Sequence, residues 1–175
     1  RHLFDLWLKR QDVYDRVTGL KMANIFGPNE YHRGGLSSFL FQIYTARMND
    51  EKIALPKIAM EHEIIGQDLI YIKDFVKVVD FFVQNPHING LFNVGGDKTY
   101  SDRQTLNLAL EVLNEDYDEK NFEYPEDHFW PYHYTSALNM DGLRELEYGE
   151  KMTPLKTAIE EYYHKYLALG KYLGD

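Results

Sequence analysis

One polar loop of the sequence carries a residue suited to electrostatic chemistry. Residues 29–35 include two glycines, and Arg33 lies directly before them. A guanidinium stays protonated near neutral pH, so Arg33 can stabilise an oxyanion or hold a phosphate but is poorly suited to act as a base. The alternative interpretation is a solvated loop residue. Thiolate chemistry is excluded because the chain has no cysteine, and no cluster of side chains has the spacing of a metal site.

Composition indicates one folded unit and limits its partners. The chain has 175 residues, of which 44% are hydrophobic and 15% aromatic, enough to bury one core. Its 19 lysines and arginines are outnumbered by 28 acidic residues, and the net charge of -9 argues against binding to nucleic acid or to an anionic membrane. An anionic small substrate remains compatible with this charge, because ion pairing is decided within roughly 4–6 Å.

The sequence favours a cytoplasmic protein. Cysteine is absent, and no apolar run approaches the roughly 20 residues of a membrane span. The first residue is Arg1 and not methionine, and an apolar segment at residues 3–8 follows at once. We therefore expect the chain to begin inside a larger protein.

Short apolar segments alternate with segments of helical spacing, which predicts an α/β unit without internal repeats. We predict strands at residues 17–26, 53–58, 69–72, 91–94 and 122–124. We predict helices at residues 2–12, 37–48, 74–84, 106–113, 139–144 and 154–166, the third capped by Asp74 and the fourth by Ser101. The apolar face of the third helix would consist of Val76, Val79, Phe82 and Val83.

Three stretches resemble consecutive motifs of nucleotide-sugar epimerases and dehydratases, which are extended short-chain dehydrogenase/reductases. Residues 24–30 are similar to an Asn-Val-Tyr-Gly-Pro segment at the end of a strand. Residues 68–74 are similar to Asp-Phe-Val-Tyr-Val-x-Asp, and residues 90–101 to Gly-x-Phe-Asn-Leu-Gly-x-Gly-x-x-x-Ser. Their order over about 80 residues makes a chance match improbable.

Two further segments resemble the ADP-glyceromanno-heptose 6-epimerase family. Residues 29–38 are similar to its Arg/Asn-Glu-x-His-Lys-Gly-x-Met-Ala-Ser loop, and residues 132–139 to its Tyr-Gln-x-x-Thr-x-Ala-Asp segment. The resemblance implies an α/β fold made of the last strands and helices of a Rossmann domain and a small α/β substrate-binding domain. Residues 1–175 would form this C-terminal unit, with the N-terminal NAD(P)-binding half outside it.

The resemblance also implies a reaction. One sugar carbon is oxidised by a tightly held NADP, with NAD as the other candidate cofactor, and is then reduced on its opposite face. By the family's register Arg1 replaces the lysine of the Tyr-x-x-x-Lys pair, and the catalytic tyrosine lies four residues before the chain. Arg33 replaces the catalytic lysine of the loop. Arg1 and the backbone of Ile25 would contact the cofactor, and Asn24 the substrate.

Several substrate-binding positions depart from the family's pattern. Gly35 replaces a serine, Gln42 a histidine, and Gln67 an arginine that contacts the diphosphate. A further run replaces Phe-Glu-Gly-Ser and consists of Ala59, Met60, Glu61 and His62. Tyr132 matches the family, in an aromatic cluster that could line a nucleotide-sugar pocket. These differences indicate a changed sugar or nucleotide, or a decayed activity.

The first predicted helix is apolar on nearly every side, which indicates that a partner covers it. In the superfamily this helix forms a four-helix interface with a second subunit, so the resemblance implies a homo-oligomer. Two alternatives to the epimerase stay open. One is another nucleotide-sugar 4-epimerase or dehydratase, and the other is a catalytically dead sugar-nucleotide-binding subunit, suggested by Arg1 and Arg33 in place of two lysines.

Overall fold

The computed structural model describes residues 2–55, 66–124 and 137–175. Its helices are α1 (His2–Arg10), α2 (Phe39–Met48), α3 (Ile72–Gln84), α4 (Asp102–Leu113), α5 (Asp141–Arg144) and α6 (Leu155–Glu161). Its strands are β1 (Thr18–Met22), β2 (Asn24–Phe26), β3 (Ile53–Ala54), β4 (Gly66–Tyr71), β5 (Gly90–Val94), β6 (Thr99–Ser101) and β7 (Phe122–Glu123). This alternation confirms the predicted α/β class.

The strands of the described residues pair in three groups. Strand β1 pairs in parallel with β5, and β3 in parallel with β7. Strand β4 is central in the third group, parallel to β2 on one side and antiparallel to β6 on the other. The three connections that link parallel neighbours contain helices, as parallel pairing requires.

The single strand predicted at residues 17–26 is wrong, because the chain changes partner within it. Ala23 makes the last hydrogen bond to β5, because its backbone N–H donates to Val94 O at 2.9 Å. From Asn24 onwards the chain pairs instead with β4, beginning opposite Leu69. Each segment mixes apolar and polar residues, so the hydrophobic pattern carries no sign of the break.

Strand β4 separates two hydrophobic clusters. Ile70 belongs to one cluster and Tyr71 to the other, because successive side chains of a strand point to opposite faces. The cluster on the Tyr71 side includes Phe26, Leu40, Ile43, Leu106, Ile159, Tyr162 and Tyr163. The cluster on the Ile70 side includes Val78, Phe82, Val94, Met140 and Leu143.

Helix α3 faces the protein with a different side from the one predicted. Its buried residues are Asp74, Val78 and Phe82, while Val76, Val79 and Val83 are exposed. Asp74 is not the N-cap; its carboxylate accepts bonds from Thr153 N–H at 2.7 Å and Thr153 Oγ1 at 2.9 Å. Of the predicted apolar face only Phe82 is buried, because the hydrogen bonds between Asp74 and the distant Thr153 set the rotation of the helix.

Helix α4 begins as predicted at a capping serine. Ser101 Oγ accepts a bond from Gln104 N–H at 3.1 Å, and the Gln104 side chain accepts one from Ser101 N–H at 2.9 Å. This reciprocal pair satisfies two backbone donors at the helix start. Helix α2 is likewise capped by a serine, Ser38, which accepts from Phe41 N–H at 3.2 Å. The predicted terminal helix ends its α-helical part at Glu161 and continues as a π turn over Tyr162–Tyr166.

A close backbone approach joins β4 to the turn after β5. Asp68 is fully buried and accepts bonds from Gly96 N–H at 2.6 Å and Leu138 N–H at 2.9 Å. A Cβ atom at Gly96 would lie 1.9 Å from the carbonyl oxygen of Leu69. Only glycine therefore fits this position, and the contact holds the polar end of β4 in place.

Candidate active site

Three polar side chains form a hydrogen-bonded series across β2, β4 and the start of α4. The Asn24 amide donates to Gln67 Oε1 at 3.1 Å, and the Gln67 amide donates to Asp102 Oδ1 at 3.1 Å. The strands bring these residues together, since Asn24 lies opposite Leu69 and Gln67 lies opposite Tyr100. The two bonds give the Gln67 amide one orientation, with its oxygen towards Asn24 and its nitrogen towards Asp102.

Asp102 ends this series as a buried acid that the sequence analysis did not single out. Its exposed fraction is 7%, and burial raises the pKa of its carboxyl to about 6, while the hydrogen bond from Gln67 acts in the opposite direction. Near neutral pH the carboxyl is therefore mostly charged despite its burial. It lines a small cavity together with Ser38, Phe39, Gln67, Leu69 and Thr105.

The loop that carries Arg33 reaches the same cavity at its C-terminal end. Residues Tyr31–Leu36 form 3-10 turns that are interrupted at Gly34, whose φ is 51°. The side chain of Arg33 is exposed. The backbone N–H of Arg33 donates to Glu30 O at 2.9 Å. The loop ends at Ser37, and the next residue, Ser38, lines the cavity.

The structure brings the predicted residues Gly35 and Gln42 together. The Gln42 amide donates to Ser37 O at 3.0 Å and approaches Gly35 O at 3.5 Å. Gly35 is exposed and Gln42 is partly buried. Gln42 therefore closes the loop against the first turns of α2.

Glu30 anchors both ends of the loop, a role that the resemblance to the family does not predict. Its exposed fraction is 5%, and its carboxylate accepts bonds from Gly27 N–H at 3.1 Å and Ser38 N–H at 2.5 Å. It also accepts from Ser38 Oγ at 2.7 Å and from the Tyr162 hydroxyl at 3.1 Å. Burial raises the pKa of Tyr162, and the adjacent Glu30 carboxylate acts in the same direction. No local pattern indicates this site, since Tyr162 is 132 residues from Glu30.

The C-terminal segment holds the same loop from its outer side. The Tyr31 hydroxyl donates to Lys171 O at 2.5 Å, and Leu173 N–H donates to the side-chain oxygen of Asn29 at 2.9 Å. The ring of Tyr31 packs edge-on against that of Tyr172, with centroids 5.1 Å apart. The polar loop is therefore held on a defined path.

Ile25 is the remaining predicted site residue within the part of the chain that the structure describes. Ile25 is partly buried, and its side chain packs against the cluster on the Ile70 side. Strand β2 forms an edge of its sheet among the described residues, so one side of its backbone is free of strand partners there. Six predicted site residues lie outside the described residues, namely Arg1, Ala59, Met60, Glu61, His62 and Tyr132.

Two features are absent from the described residues. Within residues 2–55, 66–124 and 137–175, no three His, Cys, Asp or Glu side chains are grouped so that they could hold a metal ion. None of the helices in these ranges is long and apolar enough to span a membrane.

Known proteins resemble this chain both in sequence and in structure. An ADP-L-glycero-D-manno-heptose-6-epimerase from Nitratidesulfovibrio vulgaris (strain DP4) is 30% identical over 171 residues, which cover 96% of this chain and 53% of the relative. The chain thus spans about half the length of the curated relatives it matches. No protein-family model matches it.

Solved structures share the fold at low sequence identity. A UDP-N-acetylglucosamine 4-epimerase from Methanobrevibacter ruminantium superimposes with a TM-score of 0.76 at 18% identity, covering 97% of this chain and 52% of the other. A dTDP-glucose 4,6-dehydratase from Bacillus anthracis, solved with NAD, superimposes with a TM-score of 0.75 at 15% identity, covering 95% and 49%. The resemblance is therefore confirmed: the chain is similar over nearly its whole length to ADP-L-glycero-D-manno-heptose-6-epimerases, and it shares its fold with about half of each of these epimerase and dehydratase structures.

Proposed function

We propose that this chain is the substrate-binding part of an enzyme that epimerises a nucleotide-activated sugar, most closely an ADP-glyceromanno-heptose 6-epimerase. The observation that carries the proposal is the 30% identity to such an epimerase over 96% of the chain. The hydrogen-bonded series of Asn24, Gln67 and Asp102 supports it, because it supplies polar groups beside a cavity at the sheet edge.

The proposed cofactor is NADP, with NAD as the other candidate. When bound, it takes a hydride from one sugar carbon and returns it to that carbon. The free side of β2 fits such a group, because backbone atoms of Ile25 can hydrogen-bond a carboxamide without leaving the sheet. Arg1 would contribute from the preceding helix. The phosphate-binding loop and the tyrosine of the Tyr-x-x-x-Lys pair would belong to the NAD(P)-binding half.

Arg33 is the proposed catalytic residue of this chain. Its guanidinium would stabilise the negative charge that develops on the substrate oxygen as the carbonyl forms and is reduced. Anchoring of the loop by Glu30 and by the C-terminal segment supports this role, since a cation stabilises a transition state only from a fixed position. Asn24, Gln67, Gly35 and Gln42 are proposed to contact the substrate.

The predicted run at residues 59–62 and Tyr132 complete the proposed substrate site. Their assignment rests on the family's motifs alone. The aromatic ring of Tyr132 would supply a stacking surface and its hydroxyl a hydrogen bond.

We propose a homo-oligomer formed through α1. Leu3, Phe4 and Trp7 are 80%, 60% and 51% exposed, and the rings of Phe4 and Trp7 stack with centroids 5.8 Å apart. Only Leu8 of the apolar residues in this helix is buried. Such a surface needs a cover, and a second copy of the same helix would supply it.

A nucleotide-sugar 4-epimerase or dehydratase is the second candidate. It is favoured by Gln67, which stands in place of the family's diphosphate-binding arginine, and by the cavity lining, whose described residues include no lysine or arginine. A sugar-nucleotide-binding subunit without activity is the third candidate, and the exposed side chain of Arg33 suits it as well as it suits a catalytic cation.

The decisive experiment uses the full-length protein. Native mass spectrometry identifies any dinucleotide that co-purifies, and turnover is then measured with ADP-L-glycero-D-manno-heptose and with UDP-N-acetylglucosamine. We expect a bound dinucleotide and turnover of the ADP-sugar, with no turnover by the 175-residue chain alone. Turnover of the UDP-sugar only would favour the second candidate, and binding of either sugar without turnover would favour the third.

A further inference from the structure

The cavity beside Asp102 has the size of one small polar group. Its volume is about 10 Å³, and a site for one water molecule needs roughly 10–15 Å³. A hydroxyl group fits this space. Gln67, which lines it, stands where the family has a diphosphate-binding arginine, so the charge of the lining decides whether a diphosphate suits the cavity.

The charge of the lining disfavours a diphosphate. Of the described residues that line the cavity, Asp102 alone is charged, and it is 7% exposed. A buried carboxylate repels an anion at short range and is stabilised by a hydrogen-bond donor. Its Oδ1 already accepts a bond from Gln67, whose own oxygen is occupied by Asn24. The chemical group that suits the remaining acceptor capacity is therefore a neutral donor such as a hydroxyl.

We propose that Asp102 is a specificity-determining residue that accepts a hydrogen bond from a hydroxyl group of the nucleotide sugar. The hydroxyl belongs either to the sugar or to the ribose of the nucleotide. Gln67 is a positioning residue, which holds the carboxylate through Oδ1 and is itself held by Asn24. This inference rests on the proposed function, because it assumes that a nucleotide sugar is the ligand.

Calorimetric titration of the full-length protein at neutral pH tests the inference. The ligands are ADP-L-glycero-D-manno-heptose, ADP and inorganic pyrophosphate, and the variants are Asp102→Asn and Asp102→Ala. Asp102→Ala is included because the new amide oxygen in Asp102→Asn can still accept a hydrogen bond from the hydroxyl group. Asp97→Asn is the matched control, because Asp97 is an exposed acid that pairs with Arg144 at 2.6 Å. Melting temperatures measured in the same buffer identify any variant that is misfolded.

Loss of a hydrogen bond to a charged group should lower the affinity of the Asp102 variants for the ADP-sugar about tenfold or more. Weaker binding of the ADP-sugar alone assigns the hydroxyl to the sugar, and equal weakening for ADP assigns it to the ribose. Pyrophosphate affinity should not change in either case. A change below about twofold for both nucleotides, or an equal loss for pyrophosphate, would overturn the inference. Failure of the wild-type protein to bind any nucleotide sugar would instead refute the proposed function, and the inference with it.

Discussion

Removing the charge of Asp102 should stabilise the protein at neutral pH but not in acid. Burial raises the pKa of this carboxyl from 3.8 to about 6, against the opposing hydrogen bond from Gln67. The folded protein therefore binds the proton more tightly than the unfolded chain does. The resulting stability is fully present below the unfolded pKa of 3.8 and is lost as the pH rises through about 6.

The size of the effect follows from the two pKa values. Their difference is about two pK units, which corresponds to roughly 3 kcal/mol of unfolding free energy. Asp102 is the first residue of α4, where a negative charge gains about 0.5 kcal/mol from the helix dipole. We expect Asp102→Asn to raise the free energy of unfolding by about 2 kcal/mol near pH 7 and by less than about 0.5 kcal/mol near pH 4.

Urea unfolding of the wild-type and variant proteins over this pH range measures the difference directly. Asp97→Asn is again the control, and its exposed ion pair with Arg144 should contribute less than about 1 kcal/mol at both pH values. A difference between wild type and Asp102→Asn that does not vary with pH would refute the reasoning. So would a variant that is less stable than wild type near pH 7.

Four further predictions test other parts of the structure. Glu30→Ala should lower the free energy of unfolding by about 3 kcal/mol in urea titrations, because it leaves several buried donors without an acceptor; a loss below about 1 kcal/mol would contradict the anchoring role. Gly96→Ala should prevent stable folding, as judged by circular dichroism, because the new methyl group meets Leu69 O; a wild-type spectrum and melting curve would contradict this close approach. Arg33→Ala should lower turnover of the full-length enzyme about 100-fold in steady-state assays, while Arg33→Lys retains activity; equal activity of all three proteins would identify a solvated loop residue. Trp7→Ala should weaken dimerisation about 30-fold in analytical ultracentrifugation; an unchanged dimer constant with a lower melting temperature would refute the interface.

Features that depend on neighbours in the sequence were predictable. The Ser101 cap requires only a backbone donor three residues later, and the structure confirms it. Helix α3 ends before Asn85 and Pro86, because a proline disfavours the helical conformation in the residue that precedes it. The family resemblance was equally accessible, because its motifs are short and local, and the sequence comparison confirms it.

The candidate site was only partly predictable. The motifs predict Asn24 and Gln67 as separate substrate contacts, and the structure adds that they bond to each other and that Gln67 also bonds to Asp102. Asp102 follows a capping serine, so the sequence alone favours an ordinary acidic residue in the first turn of a helix. Its burial depends on the pairing of β4 with β6, which no local pattern specifies.

The tertiary structure alone decided which polar residues are buried and which apolar residues are not. Asp74 is buried because Thr153, 79 residues away, supplies two donors, and the rotation of α3 that this requires leaves Val83 exposed. Glu30 is buried because Tyr162 and Ser38 approach it from separate elements. The sequence by itself determined the α/β class and the serine caps of α2 and α4, since those caps depend on hydrogen bonds across three residues. The positions of buried charges depend on partners far along the chain, and only the folded chain brings those partners together.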